Sequence, residues 1–204
     1  MMSKKIVFLA SLLVMGLSAV TAAAASANGG WEFNGTELTG TEAVLGVSIA
    51  STLSVPGAPV SCEHLQLFMK ISNTVAPGDG EVTKLLPYEC TATATCTVQS
   101  IQAEKLPWPA HTATFVGKNY IIIEKVHIDV EFGGALCAFA EVPIAIKGTA
   151  GGLFENATST LTLNKASFET TGASLKAGAS TVQWTGVFPM EALGVHSSEA
   201  LGIG

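Results

Sequence analysis

The feature that most constrains the fold is an alternation of apolar and polar residues between Tyr120 and Phe132. A period of two residues is typical of a β-strand that buries one face and exposes the other. The stretch therefore predicts a half-buried strand. Its apolar face carries Val126, Ile128, Val130 and Phe132, and its polar face carries Lys125, His127, Asp129 and Glu131.

Shorter stretches repeat this alternation and are separated by turn sequences such as Pro56-Gly57 and Gly133-Gly134. After residue 28, no run of ten residues shows a capped helical stripe. Roughly ten antiparallel strands are expected, so the fold is predicted to be an all-β antiparallel β-sandwich, with a closed β-barrel as the alternative. The apolar faces expected to be buried are Leu45, Val47, Ile49, Leu53 and Val55; Leu65, Leu67, Met69 and Ile71; Val142, Ile144 and Ile146; Leu161 and Leu163; and Val182, Trp184 and Phe188.

The N-terminus has the three parts of a secretory signal peptide. Lys4 and Lys5 precede an apolar run over residues 6–17, and Ala25-Ser26-Ala27 matches the small-residue cleavage pattern. We therefore predict a signal peptide over residues 1–27, a single all-β domain over residues 28–204, and a secreted, extracellular protein. The alternative is an N-terminal membrane anchor; no later apolar run predicts a membrane span.

The charge balance argues against nucleic acid as a partner. All ten basic residues of the 204-residue chain are Lys, and the net charge is -6. Removing residues 1–27 removes two Lys and no acidic residue, which leaves a net charge of -8. A nucleic-acid-binding domain needs a basic face to neutralise phosphates, and the composition of this chain does not predict one.

The four cysteines predict two disulfides. Cys62, Cys90, Cys96 and Cys137 all follow the signal peptide, and an even number is usual in exported domains. Three pairings are possible. The short spacing favours Cys90–Cys96, which leaves Cys62–Cys137 to close a long loop.

The polar face of the Tyr120–Phe132 strand offers a weak metal site. His127, Asp129 and Glu131 are two residues apart, so successive side chains lie about 7 Å from one another on one face. A further ligand from a neighbouring strand, such as His64 or His111, would be needed, and the simpler interpretation is a solvated polar face. Neither a nucleophile motif nor a phosphate loop is present, and Glu124 and Glu131 would point to opposite faces of a regular strand. No enzymatic activity and no cofactor are predicted.

Two aromatic residues are candidates for a binding surface. Trp108 lies between Pro107 and Pro109, so it sits in an extended or turning segment where it could stack on a sugar or a partner protein; the favoured interpretation is a Trp that closes the end of the sandwich. Phe68 falls on the polar side of its strand, which indicates an exposed patch or a second core face.

The stretch from Cys90-(five residues)-Cys96-Thr97-Val98 through Leu106-Pro107-Trp108 to Gly148-Thr149-Ala150-Gly151-Gly152 resembles a group of uncharacterised secreted proteins of actinobacteria. The resemblance covers roughly residues 85–155. It implies an exported, β-rich bacterial protein and brings no activity, substrate or site residue with it.

The sequence thus predicts a secreted, disulfide-stabilised β-domain with a structural or binding role and an extracellular protein or glycan as its partner. One alternative is a β-barrel that encloses a small apolar ligand in an internal cavity. The other is a metal-dependent enzyme that uses the His127, Asp129 and Glu131 face.

Overall fold

The computed structural model describes residues 28–92, 95–138 and 142–204, so the predicted signal peptide lies outside the described residues. The described chain is almost entirely antiparallel sheet, with one short α-helix and one 3-10 turn. The strands are β1 (Trp31–Phe33), β2 (Thr36–Glu37), β3 (Thr41–Ser48), β4 (Ser51–Leu53), β5 (Val60–Ser72), β6 (Asp79–Thr91), β7 (Thr97–Ala103), β8 (Trp108–Phe115), β9 (Lys118–Gly133), β10 (Ile144–Glu155), β11 (Thr160–Leu163), β12 (Ser174–Ala177), β13 (Ser180–Val182), β14 (Trp184–Ala192) and β15 (Leu201–Ile203); the helix α1 spans Lys165–Thr171.

The prediction of an all-β antiparallel sandwich is confirmed. Eight strands pair in the order β10-β11-β14-β3-β5-β6-β8-β9, and β9 pairs in turn with β10, so the ladder runs round as a ring. Strands β12 and β13 extend from β10, β4 lies against β14 and β5, and β7 lies against β9. A separate sheet of three strands, β15-β1-β2, completes the fold.

The core lies inside this ring and is filled by the faces that alternation predicted in most strands. Val126, Ile128 and Val130 of β9 are at most 1% exposed. The three tryptophans, Trp31, Trp108 and Trp184, are equally buried. One face of each of these strands is buried because removing apolar side chains from water is favourable.

The predicted face of residues 45–55 is wrong in its first half. In β3 the buried positions are Glu42, Val44, Gly46 and Ser48, so Leu45 and Val47 lie on the outer face and Ile49 is 80% exposed. The cause is a bend at residues 49–50, where the Ser48 hydroxyl donates to the Ala50 carbonyl. The bend makes β3 and β4 two strands with separate registers, and Leu53 and Val55 are buried as expected.

Strand β9 also departs from a regular strand. Lys125 has a left-handed backbone, with φ 53°, and the register against β10 shifts between Gly148 and Ala150. This β-bulge inserts one residue into β9. Odd-numbered residues such as Ile121 and Ile123 face the core before the bulge, and even-numbered residues from Val126 onward face it afterwards. Glu124 and Glu131 therefore lie on the same outer face, where a regular strand would have separated them.

The strand predicted around Val142 also begins later than expected. Val142 is 67% exposed, because β10 begins only at Ile144, and Ile146 is the first fully buried residue of that strand.

Both disulfides form, but the favoured pairing is wrong. The bonds are Cys62–Cys90 and Cys96–Cys137. Cys62 and Cys90 are directly opposite each other on the paired strands β5 and β6. Cys96 precedes β7, which pairs with β9, and Cys137 follows β9 by a few residues. Strand order therefore decided the pairing, and closeness in sequence did not.

Helix α1 is short but well defined at its start. Asn164 caps it by accepting from the Ser167 N–H, and the Ser167 hydroxyl donates to the Gly151 carbonyl of β10 at 2.7 Å. Across residues 28–92, 95–138 and 142–204, no helix is long and apolar enough to cross a membrane.

Candidate binding groove between β6 and β7

A groove opens where two strand edges face each other without forming a ladder. Strand β6 pairs with β5 along its whole length, but with β8 only over Asp79–Val82. Strand β7 pairs with β9. Within the described residues, the edge of β6 from Lys84 to Cys90 and the outer edge of β7 have no strand partner. Backbone N–H and C=O groups on such edges remain available to another chain.

The geometry of β6 explains why its ladder with β8 stops at Val82. Thr83 is an extra residue opposite the Phe68–Met69 step of β5, and this bulge follows directly on Val82, the last residue paired with β8. Bulges bend a strand and increase its twist, and from Lys84 onward β6 no longer pairs with β8. Pro87 then lies in the open part, and proline within a sheet is found on edges because it has no N–H to donate.

The groove has a volume of about 540 Å³. Leu85, Pro87 and Ile101 form an apolar floor, with Lys84 and Glu89 among its charged lining residues. The same three floor residues line a small internal void that reaches Trp184 and holds only about 10 Å³. A pocket for a small organic ligand needs several hundred Å³, so this void does not provide the internal cavity of the ligand-binding alternative.

A cluster of polar side chains lies beside the Glu89 end of the groove. Glu63 and His64 of β5 and Glu89 of β6 each place a carboxylate oxygen or imidazole nitrogen within 4.8 Å of the other two. All three residues are exposed. The Cys62–Cys90 disulfide adjoins them on both strands, so the backbone that carries the cluster is held covalently.

Trp108, a candidate binding residue, is not on the surface. It is fully buried in the core, and its indole N–H donates to the Glu104 carbonyl at 2.7 Å. Alternation along β8 explains this placement, because Trp108, Ala110 and Thr112 share the inward face. The favoured interpretation placed Trp108 as a lid at the end of the sandwich, and the structure places its side chain within the core.

Phe68 lies on the outer face of β5 and is half-buried. It sits between Leu45 of β3 and Lys84 of β6, and the Lys84 ammonium is 5.7 Å from the centre of its ring. The contact is within the range of a cation–π interaction. Phe68 thus positions Lys84 beside the groove, while the ring itself does not line it.

The polar face of β9 does not assemble the predicted ligand set. The imidazole Nε2 of His127 is 3.1 Å from Asp129 Oδ1, and this His side chain is only 11% exposed. The Glu131 carboxylate accepts instead from the Ser100 hydroxyl of β7 at 2.9 Å. In the part of the chain that the structure describes, the one group of three His, Cys, Asp or Glu with ligand atoms within 4.8 Å is that of Glu63, His64 and Glu89.

The other two histidines are placed apart from that cluster. His111 of β8 lies 4.0 Å from Glu124, on the outer face of the sheet. His196 stacks on Phe33 with ring centres 4.4 Å apart, and its Nδ1 lies 3.1 Å from Glu199.

The sequence contained one readable signal for the groove, the proline inside a strand at Pro87. The bulge at Thr83 and the left-handed backbone of Glu89 have no sequence pattern of their own, so the free edges and the cluster could not be located from the sequence. Comparison of the chain with protein-family models, curated proteins and solved structures finds no match. The geometry of the groove is therefore the basis for assigning a function.

Proposed function

We propose that the protein is exported, loses residues 1–27, and acts outside the cell as a binding module that holds an extended polypeptide segment in the groove between β6 and β7. The observation that carries the proposal is the pair of unpaired strand edges on the two sides of one groove. We assign the module no catalytic role. Two disulfides fit an oxidising compartment, and they support export.

An extended polypeptide is the ligand that such edges recognise. A peptide that lies along β7 adds a strand to the sheet, so that main-chain hydrogen bonds give affinity and alternate side chains give specificity. Strand β7 is the better template, because Pro87 interrupts the donors of β6. Alternate apolar side chains of the peptide then face Leu85 and Ile101 on the floor.

Charge and aromatic exposure favour a basic peptide over a glycan. The chain has a net charge of -6 and no Arg, so a peptide that carries Lys or Arg complements it. Sugar recognition commonly uses an exposed aromatic platform, but all three tryptophans are buried, and the exposed Tyr88 of β6 does not line the groove. Protein is thus the partner class that we propose.

Export is tested first, in a bacterial host that secretes proteins. Sequencing of the secreted product from its N-terminus is expected to begin at Asn28. A product that begins at Met1 and stays with the membrane fraction would contradict cleavage.

Peptide binding is tested with a displayed library of random 12-residue peptides selected on the purified, disulfide-bonded protein. A selected peptide is then titrated against two variants with matched chemistry. Leu86 lines the groove and Leu45 does not, and both are half-buried leucines on neighbouring parts of the outer face. Leu86→Ala removes about 1–2 kcal/mol of apolar contact, so Kd is expected to rise about tenfold, while Leu45→Ala leaves it unchanged.

Hydrogen exchange identifies the strand that pairs with the peptide. Backbone amides of β7 are expected to exchange more slowly in the complex, whereas those of β13, a sheet edge outside the groove, keep their rates. Equal effects of the two leucine variants, or protection absent from β7, would overturn the assignment.

A further inference from the structure

The cluster of Glu63, His64 and Glu89 has a composition that the peptide groove does not explain. Two carboxylates and an imidazole converge from two strands, with all ligand atoms within 4.8 Å of one another. Among the residues that the structure describes, none of these three side chains makes a hydrogen bond or an ion pair. Their polar atoms are thus free to bind something from solution.

Local irregularity of both strands brings the three side chains together. Neighbouring residues of a strand normally point to opposite faces, but Cys62 and Leu65 are both buried, so Glu63 and His64 between them are both exposed. On β6, Glu89 has a left-handed backbone, with φ 51°. The two glutamate carboxylates consequently lie close together, an arrangement of like charges that is unfavourable without a cation.

The chemistry of the three donors distinguishes among cations. A lone acidic cluster suits Ca²⁺ or Mg²⁺, which take oxygen ligands, but imidazole favours zinc and its neighbours. In a zinc site the donors lie about 2.0–2.2 Å from the metal, which places them about 3.3 Å apart. Exposed glutamate and histidine side chains reach that spacing by rotation about their own bonds.

We infer that Glu63, His64 and Glu89 form a binding site for one Zn²⁺ ion, with one imidazole nitrogen, two carboxylate oxygens and water as ligands. The disulfide between Cys62 and Cys90 fixes the two backbones beside the site, which reduces the conformational entropy that is lost when the metal binds. Zinc bound there neutralises the facing carboxylates at the Glu89 end of the groove. The site does not depend on the proposed peptide, because all of its ligands come from this chain.

The test is calorimetric titration of the purified, untagged, disulfide-bonded protein with zinc chloride. One equivalent is expected to bind with Kd on the order of 10 μM. His64→Gln and Glu89→Gln are expected to weaken binding at least tenfold. His127→Gln is the matched control, because His127 also lies beside a carboxylate, and it should leave the affinity unchanged.

Folding is verified in each variant by circular dichroism and by the presence of both disulfides, and the substituted positions of the cluster are exposed. Absence of binding at millimolar zinc would overturn the site, as would zinc affinity that survives His64→Gln. Loss of zinc binding in His127→Gln alone would move the metal to the β9 face. Leu86→Ala is expected to bind zinc normally, so a failure of peptide binding and a failure of the metal site remain distinguishable.

Discussion

At the scale of single residues, the core depends on a few polar groups that are fully satisfied. Ser51 is 5% exposed and accepts from the indole N–H of Trp184 at 3.0 Å, while its hydroxyl donates to the Thr185 carbonyl at 3.1 Å. Burial of an indole N–H without an acceptor costs about 1–3 kcal/mol. Ser51 thus supplies the acceptor that allows Trp184, the first residue of β14, to be buried.

Ser51→Ala is therefore expected to lower the free energy of unfolding by about 1–3 kcal/mol, measured by urea denaturation. The Trp184→Phe background removes the indole N–H, so Ser51→Ala should cost clearly less there. The difference between the two costs isolates the hydrogen bond. Equal costs in both backgrounds would show that the bond contributes nothing.

At the scale of elements, the bulge at Lys125 decides which residues of β9 face the core. A left-handed backbone costs a residue with a side chain about 1–2 kcal/mol, and glycine escapes this cost. Lys125→Gly is expected to raise the free energy of unfolding by about 0.5–1 kcal/mol after the extra flexibility of the unfolded chain is counted. Lys118→Gly, at an exposed residue of the same strand without a positive φ, should lower it by a similar amount.

Opposite signs for these two lysine variants in urea denaturation would confirm that backbone conformation, and not lost side-chain contact, governs the change. A loss of stability in Lys125→Gly would contradict the role of the bulge.

The same bulge shows how far the sequence predicts these elements. Alternation fixed the buried faces of β5, β9, β11 and β14, because a two-residue period allows one inward set in a regular strand. It failed at Ile49, where a bend ends β3, and it misplaced Glu124 relative to Glu131, where an inserted residue reverses the parity. Bends and bulges depend on contacts with neighbouring strands, and those contacts are not local in sequence.

The candidate site could not be located from the sequence for a related reason. The sequence marks His64 only as a possible further ligand for the His127 face, and Glu63 and Glu89 give no signal, because exposed glutamates are common on any strand. Only the pairing of β5 with β6 shows that these residues meet. Trp108 illustrates the converse, since its flanking prolines correctly indicate an extended backbone but do not show that its side chain lies in the core.

At the scale of the whole molecule, the disulfides tie the ring together at two places on either side of the groove. Cys62–Cys90 spans 28 residues and joins β5 to β6, and Cys96–Cys137 spans 41 residues and joins the start of β7 to the chain after β9. Chain-entropy estimates give about 3.6 and 3.9 kcal/mol for loops of these lengths. Each wall of the groove therefore carries one disulfide, and the two bonds make similar contributions to the free energy of unfolding.

The double variants Cys62→Ala/Cys90→Ala and Cys96→Ala/Cys137→Ala are accordingly expected to lose similar amounts of stability in urea under non-reducing conditions. The pairing favoured by sequence proximity would instead give bonds of about 2 and 4–5 kcal/mol. Under the observed pairing, Cys90→Ala/Cys96→Ala breaks both bonds and leaves Cys62 and Cys137 as free thiols. A thiol assay that finds none in this third variant would contradict the pairing, because it would mean that Cys62 and Cys137 had joined across the groove.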